Sequence, residues 1–475
     1  ELYIGEIKNI KVNFLSKVNS LKKKSKIFDH RNNQIDIKKL NNFSKKLNKS
    51  LKKKNRLVLV FSENTIEFLI GYYSFLNLAF PQMILNSQIN EDELKKILTN
   101  YRPTYIYINK KTFTLNQKFF FHFKIIDEIK DNLILVYKKN NNYKINSKLA
   151  LLISTSASTG SQKFVRISYK NLIDNTQKIV KALKINSSDT SITTMPPNYT
   201  YGLSIINTHL IKGGNIIMTN NSVFEKNFWE VIKKYKVTNI NGVPYFYELL
   251  KKLKITREKL PNLKFFTSAG GALDTNVYNY FKDFVSKFNL KFYCMYGQTE
   301  ATSRISILSY KDFHKKFGSI GKPLDGGNLY IDKNKDVGEL CYEGKNVCLG
   351  YAQNYKDLKK DNENKGILKT GDIAKKYKNN FYIIGRKKRF AKIYGHRINL
   401  DEIQKKLHDS NMKCVCIEKN NLIYILTDKK NHIKKIKKEM EKQSLKQNYF
   451  KTLFVRKFIY NSNGKISYSI MKKNL

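Results

Sequence analysis

Residues 149–170, LALLISTSASTGSQKFVRISYK, decide how this chain is read. Five apolar residues, 149–153, empty into Ser154-Thr155-Ser156-Ala157-Ser158-Thr159-Gly160-Ser161-Gln162-Lys163. The result is a hydroxyl-rich loop with one basic end. Its small residues let backbone N–H groups turn inward as an anion nest, its hydroxyls add donors, and Lys163 supplies the charge a polyphosphate needs. A nucleotide phosphate is the natural guest. The same composition also describes a Ser/Thr-rich surface loop, and the stretch alone leaves both readings open.

Beyond the loop, 164–168 looks extended and a helix is expected over 172–183. The loop therefore runs strand to strand, which excludes the Walker arrangement, in which Gly-Lys-Ser/Thr opens a helix directly. Upstream, 35–51 sets Ile37, Leu40, Leu47 and Leu51 on one face of a lysine-coated helix. An alternation follows: strand 57–61, helix 65–78, strand 82–85, helix 91–98 capped by Asn90, and strand 104–108. Downstream it resumes with strands near 216–218, 237–240, 263–267 and 291–296, separated by helices around 228–235, 245–253 and 275–288. Such βαβ grammar implies parallel, doubly wound sheets covered on both faces, with ligands at the carboxyl ends of strands. Two of those ends are unusual: Ser268-Ala269-Gly270-Gly271-Ala272 and Tyr296-Gly297-Gln298-Thr299-Glu300.

From Gly318 the punctuation by Gly, Asp and Asn, with short extended stretches at 338–342 and 381–384, suggests a small β subdomain. After Gly385 charged helices (401–407, 432–443) surround strands 415–417 and 422–426. The expected fold class is thus α/β: a large N-terminal domain, 1–385, of parallel doubly wound sheets plus a small β subdomain, then a small α+β domain, 386–475. No repeats or low-complexity linkers are found.

With 475 residues and 41% hydrophobic content, the chain can bury a large core. The formal charge of +51 would ordinarily suggest nucleic acid. Here the excess is nearly all lysine scattered through every segment, so no nucleic-acid partner is expected, although the field attracts anionic ligands such as ATP. The five cysteines, Cys294, Cys341, Cys348, Cys414 and Cys416, form no metal-ligand pattern and fit a reducing cytoplasm. The most apolar window, 66–85, is broken by Glu67, Asn77 and Pro81; it reads as a buried helix running into a strand, not a membrane span. Position 1 is Glu, so these residues do not settle whether an export signal exists.

Five stretches, in order over nearly the whole chain, resemble the adenylate-forming superfamily of acyl-CoA synthetases, adenylation domains and luciferases. The opening loop is similar to that family's Thr-Ser-Gly-Ser/Thr-Thr-Gly-x-Pro-Lys, and Tyr296-Gly297-Gln298-Thr299-Glu300 to its Tyr-Gly-x-Thr-Glu. Thr370-Gly371-Asp372 matches Thr-Gly-Asp, and Gly385-Arg386-Lys387-Lys388, with the residues to Ile403, resembles the Gly-Arg hinge and the loop after it. Asn463-Gly464-Lys465-Ile466 is similar to the terminal Gly-Lys.

The resemblance implies attack of a carboxylate on the α-phosphate of ATP. Two anions must meet, so preorganised cations and N–H donors lower the barrier. By resemblance, Thr155, Ser156, Ser158, Thr159, Gly160 and Lys163 hold the β- and γ-phosphates. Thr299 donates to the α-phosphate and Glu300 holds Mg²⁺. Tyr296, with Gly297 beside it, lies against adenine, where Gly270 and Gly271 admit the base. Asp372 accepts from the ribose hydroxyls and Arg386 adds a cation. Lys465 bridges the carboxylate and the α-phosphate; by composition alone it is one more exposed lysine. A second half-reaction is also implied, in which the small domain turns about Lys388 and brings Gly395 to a thiol tunnel for coenzyme A or a carrier protein's phosphopantetheine.

The segment 195–203 occupies the place where acyl-CoA synthetases often carry His and amino-acid-activating domains carry Asp; Tyr199 and Gly202 stand there instead. Without that Asp an α-ammonium would go unpaired in a partly buried site, so an acid lacking an α-amine is expected. Tyr199 also fits simple core packing. Asn241 and Val243 are expected to line the same pocket. Ala157 and Gln162 depart from the family's Gly and Pro, and losing Pro loosens the loop. The alternatives are an acyl-carrier-protein ligase or a nucleotide-binding relative that no longer ligates.

Overall fold

The structure is a computed structural model that describes residues 18–21, 24–53, 55–139, 142–155, 163–332, 336–393, 396–442, 447–461 and 465–475; at 388, 392, 396, 397, 442 and 447 it describes the backbone alone.

Two large sheets carry most of the described residues up to 385. One has eight strands, with Leu149–Ser154, Gln82–Asn86, Val58–Ser62 and Tyr105–Asn109 running parallel at its centre. The other has nine, with a parallel run from Lys26–Asp29 through Asn215–Met218, Thr190–Ile192, Asn239–Gly242 and Phe265–Ser268 to Lys291–Tyr296. The expected strands and helices are all present, most with ends moved by one to three residues. Each sheet adds antiparallel edges to its parallel centre. The hairpin Phe123–Ile129/Asn132–Tyr137 closes one side of the eight-stranded sheet, and Phe164–Ser168 with Gly350–Ala352 closes the other. The sequence suggested parallel doubly wound sheets because the βαβ alternation marks only the parallel centre, and a strand's own residues do not say in which direction it pairs.

Helices lie between the sheets as well as outside them. Ile66–Asn77 is buried from Ile66 to Leu76, and Thr200–Leu210 along its whole length. They meet in the largest core cluster, where the Tyr72 hydroxyl donates to Asn207 Oδ1 at 3.0 Å. A helix covered on all sides needs no polar face. The reading of 66–85 as buried helix then strand therefore holds, whereas Thr200–Leu210, which has neither a side-chain cap nor an amphipathic period, went unrecognised.

Capping explains two other boundaries. Asn90 accepts from the Glu93 N–H at 2.9 Å, as expected. The helix expected from residue 172 starts at Tyr169, because Ser168 and Asn171 cap one another's backbone N–H groups.

Residues 328–386 form a four-stranded antiparallel sheet around its own core, the expected β subdomain. Past it, strands Cys414–Lys419, Leu422–Thr427 and Phe450–Phe454 and helices Leu400–Asp409 and His432–Lys442 build two core clusters that contain no residue before 391. Cys414 and Cys416 are buried on the first of these strands, and all five cysteines are unpaired. No helix among the described residues is long and apolar enough to cross a membrane.

Candidate active site

The stretch 149–170 forms the strand–loop–strand that its composition predicts. Leu149–Ser154 and Phe164–Ser168 pair antiparallel, and the Thr155 N–H donates to the Lys163 carbonyl at 3.4 Å across the base of the loop. The loop itself, with Ser156, Ala157, Ser158, Thr159, Gly160 and Gln162, lies outside the described residues.

Arg166 anchors the returning strand. It is fully buried, donating from Nε to the Tyr351 carbonyl at 3.1 Å and from Nη2 to the Leu349 carbonyl at 3.0 Å, with a charge-assisted contact to Glu363 at 2.5 Å. That clamp fixes the edge strand Gly350–Ala352 beside the loop. One consequence is chemical: the Tyr351 hydroxyl donates to Glu300 Oε1 at 2.8 Å.

Thr299 and Glu300 occupy a single 3₁₀ turn, Thr299–Ala301, at the carboxyl end of strand Lys291–Tyr296. Gly297 is obligatory for the reversal that delivers them, since a Cβ there would stand 1.9 Å from the Ser303 carbonyl oxygen. Among the described residues no group of three or more His, Cys, Asp or Glu could hold a metal ion. A single Glu300 carboxylate, already steadied by Tyr351, suits Mg²⁺, which keeps most of its ligands as waters and phosphate oxygens.

Tyr296 and Asp372 come together across the two sheets. The Tyr296 hydroxyl donates to Asp372 Oδ2 at 2.6 Å, and Arg386 Nε donates to Oδ1 at 2.9 Å. Asp372 is 4% exposed, so both oxygens are satisfied where a lone charge would be costly. Burial, and then the Asp372 charge, push the Tyr296 hydroxyl well above its ordinary pKa, while Asp372 raises that of Arg386.

Lys465 enters this space from the far end of the chain. Its Nζ stands 5.3 Å over the Tyr199 ring, and its Cε would lie 3.3 Å from a Cβ built on Gly270, where the Tyr199 hydroxyl and Val243 also converge. Gly270 has φ +90 and room for no side chain. Burial pushes the Lys465 amine down to about 8; Arg386 lowers it further, and the Asp372 and Glu300 carboxylates pull the other way. The Lys465 N–H donates to Asn461 Oδ1 at 2.9 Å, and neighbouring Tyr460 stacks on Tyr245 at 4.6 Å. Lys413 to Glu248, at 2.7 Å, and Asn276 to Asn411, at 2.8 Å, complete this docking.

The structure thus gathers Lys465, Tyr199, Gly270, Val243, Tyr296, Asp372, Arg386 and Glu300. Gly271 abuts Pro244 at the rim. Two expected pocket residues are used otherwise. Gly202 packs its Cα against the Pro196 and Met195 carbonyls, and Asn241 is spent on a buried network with Ser191, Asn239 and Thr267. Lys388 sits in the 3₁₀ turn Lys387–Arg389 between the β subdomain and the last segment, its side chain outside the described residues, as is Gly395. Sequence reasoning missed Tyr351, Arg166 and Arg304; only the last two carried a signal, each a charge inside an otherwise apolar strand or its flank.

Against known proteins, the chain is 24% identical over 392 residues to the D-alanine--D-alanyl carrier protein ligase of Staphylococcus aureus (strain bovine RF122 / ET3-1), covering 80% of this chain and 79% of that one. Its fold is that of MatB from Rhodopseudomonas palustris in an ATP-bound crystal structure, at TM-score 0.78 and 19% identity over 98% of both chains. It is also that of the o-succinylbenzoate coenzyme A synthetase MenE from Bacillus subtilis, at TM-score 0.75 and 18% identity, covering 97% of this chain and 98% of that one. The family described as AMP-binding enzyme matches residues 33–352, more than half of the sequence and the part that holds the loop, Tyr296, Glu300 and Tyr351; to that family the chain belongs.

Proposed function

We propose that the protein activates a carboxylic acid lacking an α-amine with ATP, then passes the acyl group to a thiol, coenzyme A. In the first step a carboxylate oxygen bonds to the α-phosphorus while the bond to the bridging oxygen breaks, leaving acyl adenylate and pyrophosphate. In the second the thiol, losing its proton, attacks the acyl carbonyl and AMP departs. The observation that carries this reading is Lys465, half-buried against Tyr199 and Gly270 and within electrostatic reach of Asp372 and Glu300. A cation there meets both anions as they approach, and its effect is largest in the transition state.

The other residues bind and orient. Thr155 and Lys163, with Ser156, Ser158, Thr159 and Gly160, hold the β- and γ-phosphates. Asp372 and Arg386 receive the ribose, Tyr296 and Gly270 the base, and Thr299 the α-phosphate. Glu300 would hold Mg²⁺, which neutralises charge on the phosphates when bound. Val243, Gly271 and Tyr199 border the acid.

The division into 1–385 and 386–475 is part of the proposal. Separate cores on either side, joined by a few polar contacts and one ring stack, are what a rotating segment needs, with Lys388 at the pivot. Rotation withdraws Lys465 and brings Gly395 to the thiol. A carrier-protein acceptor is the second reading, favoured by the +51 charge, which suits an acidic carrier, and by the carrier protein ligase among the relatives. A cytoplasmic location is part of the proposal, supported by the free cysteines and by the substrates.

The test is ATP–pyrophosphate exchange with a panel of carboxylic acids, followed by thioester formation with coenzyme A and with a carrier protein. Exchange that depends on one acid class is the expected result. No exchange with any acid sinks the reading.

A further inference from the structure

Among the described residues of the large domain two arginines are enclosed, and only one of them has a carboxylate partner. Arg166 has Glu363 and a set of carbonyls. Arg304, 2% exposed, has no carboxylate partner among the described residues: its guanidinium bonds the Tyr201 side chain, while its Nε and Nη2 find no hydrogen-bond partner there. Its guanidinium carbon stands 4.6 Å over the Tyr201 ring. The groups that sense its charge most are Tyr201 and Tyr199, neither of them a carboxylate.

A guanidinium does not shed its proton in a protein. Enclosing one without an anion is strongly unfavourable, and a ring face offsets only part of that cost. Local rules are broken in this way chiefly at functional sites, where a ligand completes the arrangement.

The position of Arg304 says which ligand. Tyr199 and Tyr201 meet edge to face at 6.2 Å. Lys465 lies over the first ring and Arg304 over the second. Tyr201 is fixed, its hydroxyl bonded to the Thr267 carbonyl at 2.8 Å and to the Thr267 hydroxyl at 2.7 Å. One half-buried and one enclosed cation therefore flank one pair of rings, and a single carboxylate at Lys465 leaves Arg304 unanswered.

We infer that the acid carries a second anionic group and that Arg304 receives it, across the Tyr199–Tyr201 ring pair from Lys465. This rests on the acid-activating reading and narrows its substrate class to dianionic acids, a dicarboxylate or a phosphono-carboxylate.

The experiment is ATP–pyrophosphate exchange by the full chain with α,ω-dicarboxylates, phosphono-carboxylates and their matched monocarboxylates. The best dianionic acid is expected to exceed its monocarboxylate in kcat/KM by at least about 30-fold. Arg304→Met should abolish that preference while ATP binding, followed by calorimetry, holds; Arg304→Lys should keep part of it. A best substrate that is a monocarboxylate overturns the inference and leaves acid activation standing. So does a preference that survives in Arg304→Met. The comparison in the unmodified protein decides the matter even if the variants do not fold. Absence of exchange with every acid overturns acid activation itself, and the inference with it.

Discussion

Lys465 lends itself to a measurement that needs no knowledge of the acid. Its amine is pushed from 10.5 to about 8, first by burial and then by Arg386. A lowered pKa favours the neutral amine in the docked position, so this group's contribution to docking is complete above pH 10.5 and is lost as pH falls through about 8. Over that interval it amounts to about 3 kcal/mol. ATP reverses the situation, because phosphate oxygens beside the amine restore its preference for charge. Binding ATP at about pH 9 should then take up about 0.9 proton per site, falling to about 0.1 near pH 7. Calorimetric titration in buffers of different ionisation enthalpy reads this number directly. Lys465→Met should remove the uptake at pH 9 and leave binding in place. If the parent protein takes up no proton there, or if the variant takes up as much, then Lys465 does not face the phosphates.

Three further outcomes follow from the same geometry. Lys465→Ala should lower pyrophosphate exchange by at least about 100-fold with less than about tenfold change in ATP affinity; unchanged exchange removes the catalytic assignment. Gly297→Ala places a Cβ 1.9 Å from the Ser303 carbonyl oxygen and should cost more than about 3 kcal/mol in urea denaturation, or prevent folding outright. Lys388→Pro should slow thioester formation more than adenylation, measured as separate half-reactions, because it stiffens the turn Lys387–Arg389; equal slowing of both would count against a hinge there.

Much of the fold could be read locally because its causes are local. The strands Val58–Ser62 and Leu149–Ser154 are apolar runs buried on both faces, and Asn90 and Ser168 announce helices through their own side chains. The site was legible to the extent that it uses such runs followed by unusual residues, as at Tyr296 to Glu300. Thr200–Leu210 was hidden because a helix enclosed on all sides loses the periodicity that betrays it. The antiparallel edge Lys322–Pro323 and Ser306–Leu308 was hidden because strands of two and three residues carry no pattern.

What the sequence by itself determined is the chemistry on offer: a loop of donors ending in Lys163, a carboxylate at Glu300, an acceptor at Asp372, and a lysine after Gly464 near the carboxyl end. The tertiary structure alone decided which of these meet. It took the meeting of two sheets to put Tyr296 on one oxygen of Asp372 and strand pairing within one sheet to put Arg386 on the other, an edge strand to set Tyr351 on Glu300, and a docked C-terminal segment to lay Lys465 over Tyr199. The physical reason is that each of these contacts is fixed by burial and by the angle between distant elements, quantities that no stretch of neighbouring residues encodes. Arg304 is the sharpest instance: one charge among hydroxyl and apolar residues as written, and an enclosed cation without a carboxylate partner among the described residues once folded.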